Sequence, residues 1–329
     1  MKKFFKQHKI LELAIVGIAI FFLVVIFNIA KAGPLEVNVF LQARASVRSF
    51  SKQKAYDLFN IAVNIPEPEN LRRFNELIEY ARSQQLYQRP IGEIVQAIAE
   101  QFIGTPYISG LLDKSPEEKL IISFAGFDCV LFVETVLAIA RGVAMQDYTY
   151  STFANNILNQ RYRHGQLNGY CSRLHYFSDW IYDNHKRGNV ANITQNLGGI
   201  PILKTFNFMS NNREIYPQIA RNDVNYQCLR SREAQLDKIQ FYYIPKNQIY
   251  TLYNRLKAGD IVATTTDIKG LDVTHTGFIY HQHGAIGFIH ASPSRGVTIS
   301  QDLQNYVDNV EGVTGIIVAR PNTPHQIER

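Results

Sequence analysis

Cysteine is scarce: 329 residues contain three, Cys129, Cys171 and Cys228. None are spaced as a CxxC pair, which excludes finger-type structural zinc, and three are too few for a disulfide-built scaffold. A strong charge of one sign is also missing. The formal net charge is +6, and the first 32 residues supply five lysines against Glu12, a net +4 that leaves +2 for the rest. No basic stripe with interleaved aromatics occurs, so nucleic acid is not an expected partner. There is no internal repeat and no low-complexity tract, which excludes solenoid and disordered architectures. The hydrophobic fraction of 46% is ample for one large domain, with or without a smaller helical annex.

One long apolar run is present, Leu13 to Phe27, preceded by Lys2, Lys3, Lys6 and Lys9 and followed by Asn28-Ile29-Ala30-Lys31-Ala32-Gly33-Pro34. Basic flank, apolar core and a small-x-small ending read as an export signal. Ile29 and Ala30 extend the run to about the 18 residues of a membrane span, so the segment is either cleaved before Gly33 or kept as an N-terminal membrane anchor. Both place the body of the protein outside the cytoplasm.

Chemistry concentrates at Gly126-Phe127-Asp128-Cys129-Val130-Leu131-Phe132-Val133-Glu134-Thr135, an Asp-Cys pair that opens an apolar helical run. At a helix N-terminus, unpaired N–H groups and the helix dipole favour thiolate over thiol. A lone cysteine in an apolar helix is, taken alone, a buried small hydrophobe. Two downstream histidines shift the reading toward a nucleophile. Thr274-His275-Thr276-Gly277-Phe278-Ile279-Tyr280 and Ile286-Gly287-Phe288-Ile289-His290-Ala291-Ser292 form strands joined by the polar turn His281-Gln282-His283-Gly284. With Tyr280 facing Ala285, antiparallel pairing sets His275 opposite His290, both imidazoles on one face. Cys129, His275 and His290 then supply nucleophile, base and orienting group. A zinc site joining His281 and His283 to His275 would need ligands pointing opposite ways along the strand.

Other candidates surround this trio. Asp128 is read first as an N-cap, then as a substrate contact. Tyr107 offers either a hydroxyl near the reacting carbonyl or a half-buried aromatic. His175 is the rival base, and with Arg173, Tyr176, Asp179 and Trp180 it forms a polar-aromatic cluster suited to a sugar-peptide. The same segment also reads as a helix with Leu174, Phe177 and Ile181 turned to the core.

Helical spacing predicts helices over 70–83, 91–102, 129–141, 148–162 and 174–184, with an Asn- and Gly-rich stretch over 192–228. The final third favours strand: 241–244, 261–264, the two histidine strands and 315–320. Helices first and strands later give an α+β class. As an exported chain with an odd cysteine count, it leaves one thiol free, and Cys129 is the natural one; Cys171 and Cys228 are then available to pair.

Gly104-Thr105-Pro106-Tyr107, Phe127-Asp128-Cys129, Leu256-Lys257-Ala258-Gly259-Asp260-Ile261-Val262 and His275-Thr276-Gly277-Phe278-Ile279-Tyr280 occur in this order. In these motifs the chain resembles NlpC-type papain-like cysteine peptidases of bacterial cell walls. With Arg173-Leu174-His175-Tyr176-Phe177-Ser178-Asp179-Trp180-Ile181 and His290-Ala291-Ser292 it is most similar to their N-acetylmuramoyl-L-alanine amidase-like branch. The resemblance runs from about Ile91 to Pro321. It implies an antiparallel sheet packed on a nucleophile helix, with a helical N-terminal part and an insertion. The expected organisation is a leader over 1–32, a helical extension over 33–90 and a hydrolase domain over 91–322 with an insertion around 185–240. The implied activity is amide hydrolysis in peptidoglycan or muropeptides by Cys129, His275 and His290, with Tyr107, Asp128, Arg173, His175, Tyr176 and Trp180 around the substrate, and with no cofactor or metal. Stem-peptide endopeptidase, thiol acyltransferase and wall-binding protein stand as alternatives. Oligomeric state is left open.

Overall fold

The computed structural model describes residues 67–324 apart from Pro116. The leader over 1–32 and the first part of the extension over 33–90 lie outside the described residues. Among those described, no helix is long and apolar enough to cross a membrane.

Helices come first. They are α1 (Pro68–Ser83), α2 (Ile91–Glu100), α3 (Cys129–Ala144), α4 (Tyr150–Arg161) and α5 (Phe177–Lys186). Strands β1 (Val190–Asn192) and β2 (Ile200–Pro201) follow, then the short helices α6 (Phe208–Asn211) and α7 (Pro217–Ala220) and the longer α8 (Asp223–Leu236). The last third contains β3 (Tyr242–Pro245), β4 (Ile261–Thr266), β5 (Val273–Gln282), β6 (Ala285–Ser292), β7 (Gly296–Ser300), α9 (Leu303–Asp308) and β8 (Val313–Pro321). The expected helix over 174–184 starts later, so Leu174, His175 and Tyr176 stand outside it.

The strands form one sheet in the order β2-β3-β8-β4-β5-β6-β7, with β1 also on β8. Each pairing is antiparallel, and the mixed α+β class holds. Helix α3 is apolar on nearly every side, with Leu131 through Ala140, Gly142 and Val143 buried, as expected of a helix enclosed by other elements. It contacts β5 and β6 as well as α2 and α4. Phe132 meets Phe278 of β5 with ring centroids 5.8 Å apart. Helix α1 contributes Phe74, Leu77, Ile78 and Ala81 to the same core. Leu303 and Val307 of α9 pack in a second cluster with Ile279, Ile286 and Phe288. A third cluster, around Tyr176, Phe206, Leu229 and Phe241, holds α8 and its neighbours.

Cys171 and Cys228 form a disulfide, Cα–Cα 6.1 Å, that ties the turn before α5 to α8. Cys129 is the free thiol.

The β5–β6 hairpin corrects the expected register. Strand β5 runs on through Gln282, and the turn is the two residues His283 and Gly284, with φ of 51° and 83°. Two consecutive positive φ values fit the right-handed strand twist, and glycine adopts one without strain. Tyr280 therefore pairs with Gly287, not Ala285. The slip is two residues. Because side chains alternate with period two, an even slip leaves both histidines on the expected face.

Candidate functional site

Cys129 opens α3, and Asp128 caps it by accepting the Leu131 amide at 2.8 Å. Asp128 is thus the expected cap. The approach to this turn is pinned by backbone: Phe127 donates to Pro106 (3.1 Å) and Ile108 to Phe127 (2.9 Å). The Gly104–Tyr107 strap is held on its other side by β7, through Gly104 to Val297 and Val297 to Thr105, both 2.8 Å. These bonds bring half-buried Tyr107 to the Asp-Cys turn.

Strands β5 and β6 pair from Gln282↔Ala285 to Phe278↔Ile289. His275 and Thr276 lie beyond that stretch. There the backbone N–H of Thr276, the residue next to His275, lies close enough to the Cys129 sulfur to favour its charged form. The two histidines meet diagonally, His275 Nε2 to His290 Nδ1 at 2.7 Å. Glycine at 277 makes this geometry available. By the same register it comes to His290, and a Cβ there would lie 2.8 Å from both His290 Cβ and Phe288 Cε2. The far nitrogen of His290 reaches Ser300 Oγ at 3.3 Å.

Burial sets the protonation of this site. The Cys129 thiol is pushed up to about 12 by burial and then by the Asp128 carboxylate, against the amides of Thr276, Cys129 and Val130. Burial pulls His275 down to about 4 and, with His275 and Arg295 adding to it, His290 down to about 3. At neutral pH the resting site holds a thiol and two neutral imidazoles. Desolvation and a neighbouring carboxylate act against the thiolate expected from the helix terminus. Tyr107 is raised to about 12 by burial, Cys129 and Asp128, so its phenol remains a donor.

The rest of the expected cluster is arranged otherwise. Trp180 is 1% exposed, stacks on Phe177 at 5.0 Å and donates its indole N–H to Glu134. Tyr176 is buried, and its hydroxyl donates to Glu233 (2.7 Å) and accepts the Met209 amide (3.1 Å). Neither is free to hold a substrate: both are core residues with satisfied polar ends. Arg173 is buried and paired with Asp113 (2.9 Å). His175 is held by the Tyr170 carbonyl at 3.0 Å and lowered to about 3 by burial and Arg173. Each of these four side chains is thus paired with a group outside the 173–180 segment, and His175 is engaged by the Tyr170 carbonyl rather than by Cys129. His281 and His283 are exposed. Among the described residues, no group of three His, Cys, Asp or Glu side chains is placed to hold a metal ion.

Sequence reasoning missed Phe288 and Tyr306. Phe288 stacks on His290 (4.8 Å, 15°), and Tyr306 of α9 reaches both rings at 4.9 Å. No spacing in the sequence links Tyr306 to the histidines. The local signal is Asp302, which caps α9 by accepting the Asn305 amide.

The mixed α+β body is similar to that of amidase-like structures. Residues 97–315 match the AmiA-like family, described as N-acetylmuramoyl-L-alanine amidase-like, over more than half of the chain, and the chain belongs to that family. Among solved structures, an N-acetylmuramoyl-L-alanine amidase from Bacteroides uniformis ATCC 8492 is 29% identical, with a TM-score of 0.67 over 70% of this chain and 99% of that one. A candidate xylanase from Bacteroides fragilis is 31% identical, with a TM-score of 0.62 over 68% and 98%. A Legionella pneumophila protein shares the fold at 22% identity, with a TM-score of 0.56 over 76% and 98%. Comparison with curated proteins gives no match.

Proposed function

We propose that this chain is a cysteine-dependent hydrolase of the amide bond between the muramic acid lactyl group and L-alanine in peptidoglycan. The observation that carries the reading is the free thiol of Cys129 against the Thr276 amide, beside a His275 whose Nε2 is engaged by His290. That bond fits two tautomer assignments, and the proposed cycle uses one of them. With Nε2–H donating to His290 Nδ1, and His290 Nε2–H donating to Ser300, His275 Nδ1 is left unprotonated to accept from the thiol.

In the proposed cycle His275 Nδ1 takes the thiol proton as the sulfur attacks the amide carbonyl. The neutral resting pair makes transfer and attack concerted. The backbone N–H of Cys129 and the Tyr107 hydroxyl hold the oxyanion. His275 returns its proton to the alanine nitrogen, the C–N bond breaks, and a thioester remains on Cys129. Water, deprotonated by His275, attacks the thioester; the carboxylic acid leaves and the thiol is restored. A glycosidase reading would ask for two carboxyl groups across the scissile bond, whereas the carboxylate beside Cys129 is tied up as a helix cap.

Mass spectrometry of defined muropeptide digests tests this proposal. The expected products are a stem peptide with a free L-alanine amine and its sugar with a free lactyl carboxylate. Cuts within the stem would replace the bond assignment by an endopeptidase, a lasting thioester would indicate an acyltransferase, and binding without products would leave a wall-binding protein. We also propose that the body acts outside the cytoplasm, supported by the basic flank and the run Leu13 to Phe27. Fractionation should recover it from the cell envelope or the medium; a cytosolic location would defeat this.

A further inference from the structure

We infer that Tyr306 is a positioning residue, whose ring fixes the diagonal His275–His290 pair and keeps water from it. This rests on the reading of His275 as the base. The diagonal contact is not a cross-strand pair, so sheet register alone does not orient either ring. Four aromatic rings close on one another instead. His275 and His290 stand perpendicular at 4.9 Å, and Phe288 lies flat on His290 at 4.8 Å. Tyr306 meets Phe288 and His290 at 4.9 Å each and His275 at 6.3 Å. Phe288 and His290 are neighbours on one strand face, whereas Tyr306 arrives from a separate element.

That element is latched. Tyr253 donates its hydroxyl to Asp302 (3.1 Å) and accepts the Gln304 amide (2.6 Å), while Gln304 accepts the Tyr250 amide (3.0 Å). Helix α9 is therefore moored at its first turn, and Leu303 and Val307 are fully buried beneath it. The charged and titratable groups around the imidazoles are Cys129 from α3, Arg295 from the β6–β7 turn and Tyr306 itself. Burial raises Tyr306 to about 12, so its ring presents no charge at neutral pH. Removing the ring admits water to both histidines, which restores hydration of their charged forms and loosens the angle between them.

The test compares Tyr306→Ala, Tyr306→Phe, Tyr253→Phe and His275→Ala in the full chain, by the pH dependence of muropeptide cleavage. In Tyr306→Ala, kcat should fall on the order of a hundredfold with KM little changed. Its acid limb, expected near 4 in the parent chain from the burial of His275, should move toward the ordinary histidine value of 6.5. Tyr306→Phe keeps the ring and should restore both. Tyr253→Phe, which loosens the latch without touching the ring cluster, should shift the limb the same way by less. An unmoved acid limb and kcat in Tyr306→Ala would overturn the inference, as would a Tyr306→Phe equally impaired, since the hydroxyl would then be the working part. If Tyr306→Ala fails to fold, an unshifted limb in Tyr253→Phe overturns it. A fully active His275→Ala would instead sink the proposed function, a separate failure.

Discussion

Alanine at position 129 is expected to reduce amide hydrolysis at least ten-thousand-fold while leaving the unfolding midpoint close to that of the parent chain. The two effects separate because they rest on different atoms. The helix start is held by the Asp128 cap and by the bonds linking Phe127 to Pro106 and Ile108. None involves the sulfur, and alanine is well tolerated in a helix. Hydrolysis, by contrast, has no other thiol to use, since Cys171 and Cys228 are joined to each other. The variant also serves as the blank for the resting protonation state. A difference spectrum against the parent chain at neutral pH should show no thiolate absorbance, because Cys129 is pushed up to about 12. Muropeptide cleavage unchanged by the substitution would rule out the cysteine mechanism; a full thiolate band would rule out only the neutral pair.

The largest expected loss of stability comes from Arg161→Met. Arg161 and Glu134 pair at 2.7 Å with side chains 3% and 1% exposed, and Trp180 donates to the other carboxylate oxygen at 3.2 Å. Removing the guanidinium leaves a buried carboxylate without its cation, at a cost of about 3–5 kcal/mol. Burial already raises the Glu134 pKa above its usual 4.5, with Arg161 pulling it back. Without Arg161 the folded-state value rises further above the unfolded one. The deficit should then be largest at high pH and shrink as pH falls, vanishing below 4.5, where both states bind the proton. Adding Glu134→Met should recover part of the loss, because the unpaired charge is gone while the Trp180 indole N–H is left without its acceptor. Chemical denaturation across pH checks both results. A deficit independent of pH, or no recovery in the double variant, would show that packing rather than charge holds this site.

Local patterning carried much of the fold. Apolar spacing marked α1 through α4 to within a few residues, since amphipathic and buried helices write their period into the sequence. Asp128 was legible as a cap because an Asp before an apolar run has one local use. The hairpin histidines were legible in kind, and the register error did no harm to their face. Trp180 and Tyr176 were misread because composition does not reveal direction. A Trp and a Tyr beside Arg and Asp look like a ligand cradle, yet Glu134 and Glu233, far off in sequence, satisfy their polar ends inside the core.

The sequence by itself determined the α+β class, the helix that begins at Cys129, and the strands bearing His275 and His290. All of these depend on neighbours within a few residues. Only the tertiary structure decided the protonation of the site, the diagonal His275–His290 bond, the satisfaction of the 173–180 cluster and the approach of Tyr306. Each of those depends on burial or on contacts between distant segments, and the free energy of desolvating a thiol or an imidazole is set by what surrounds it in space.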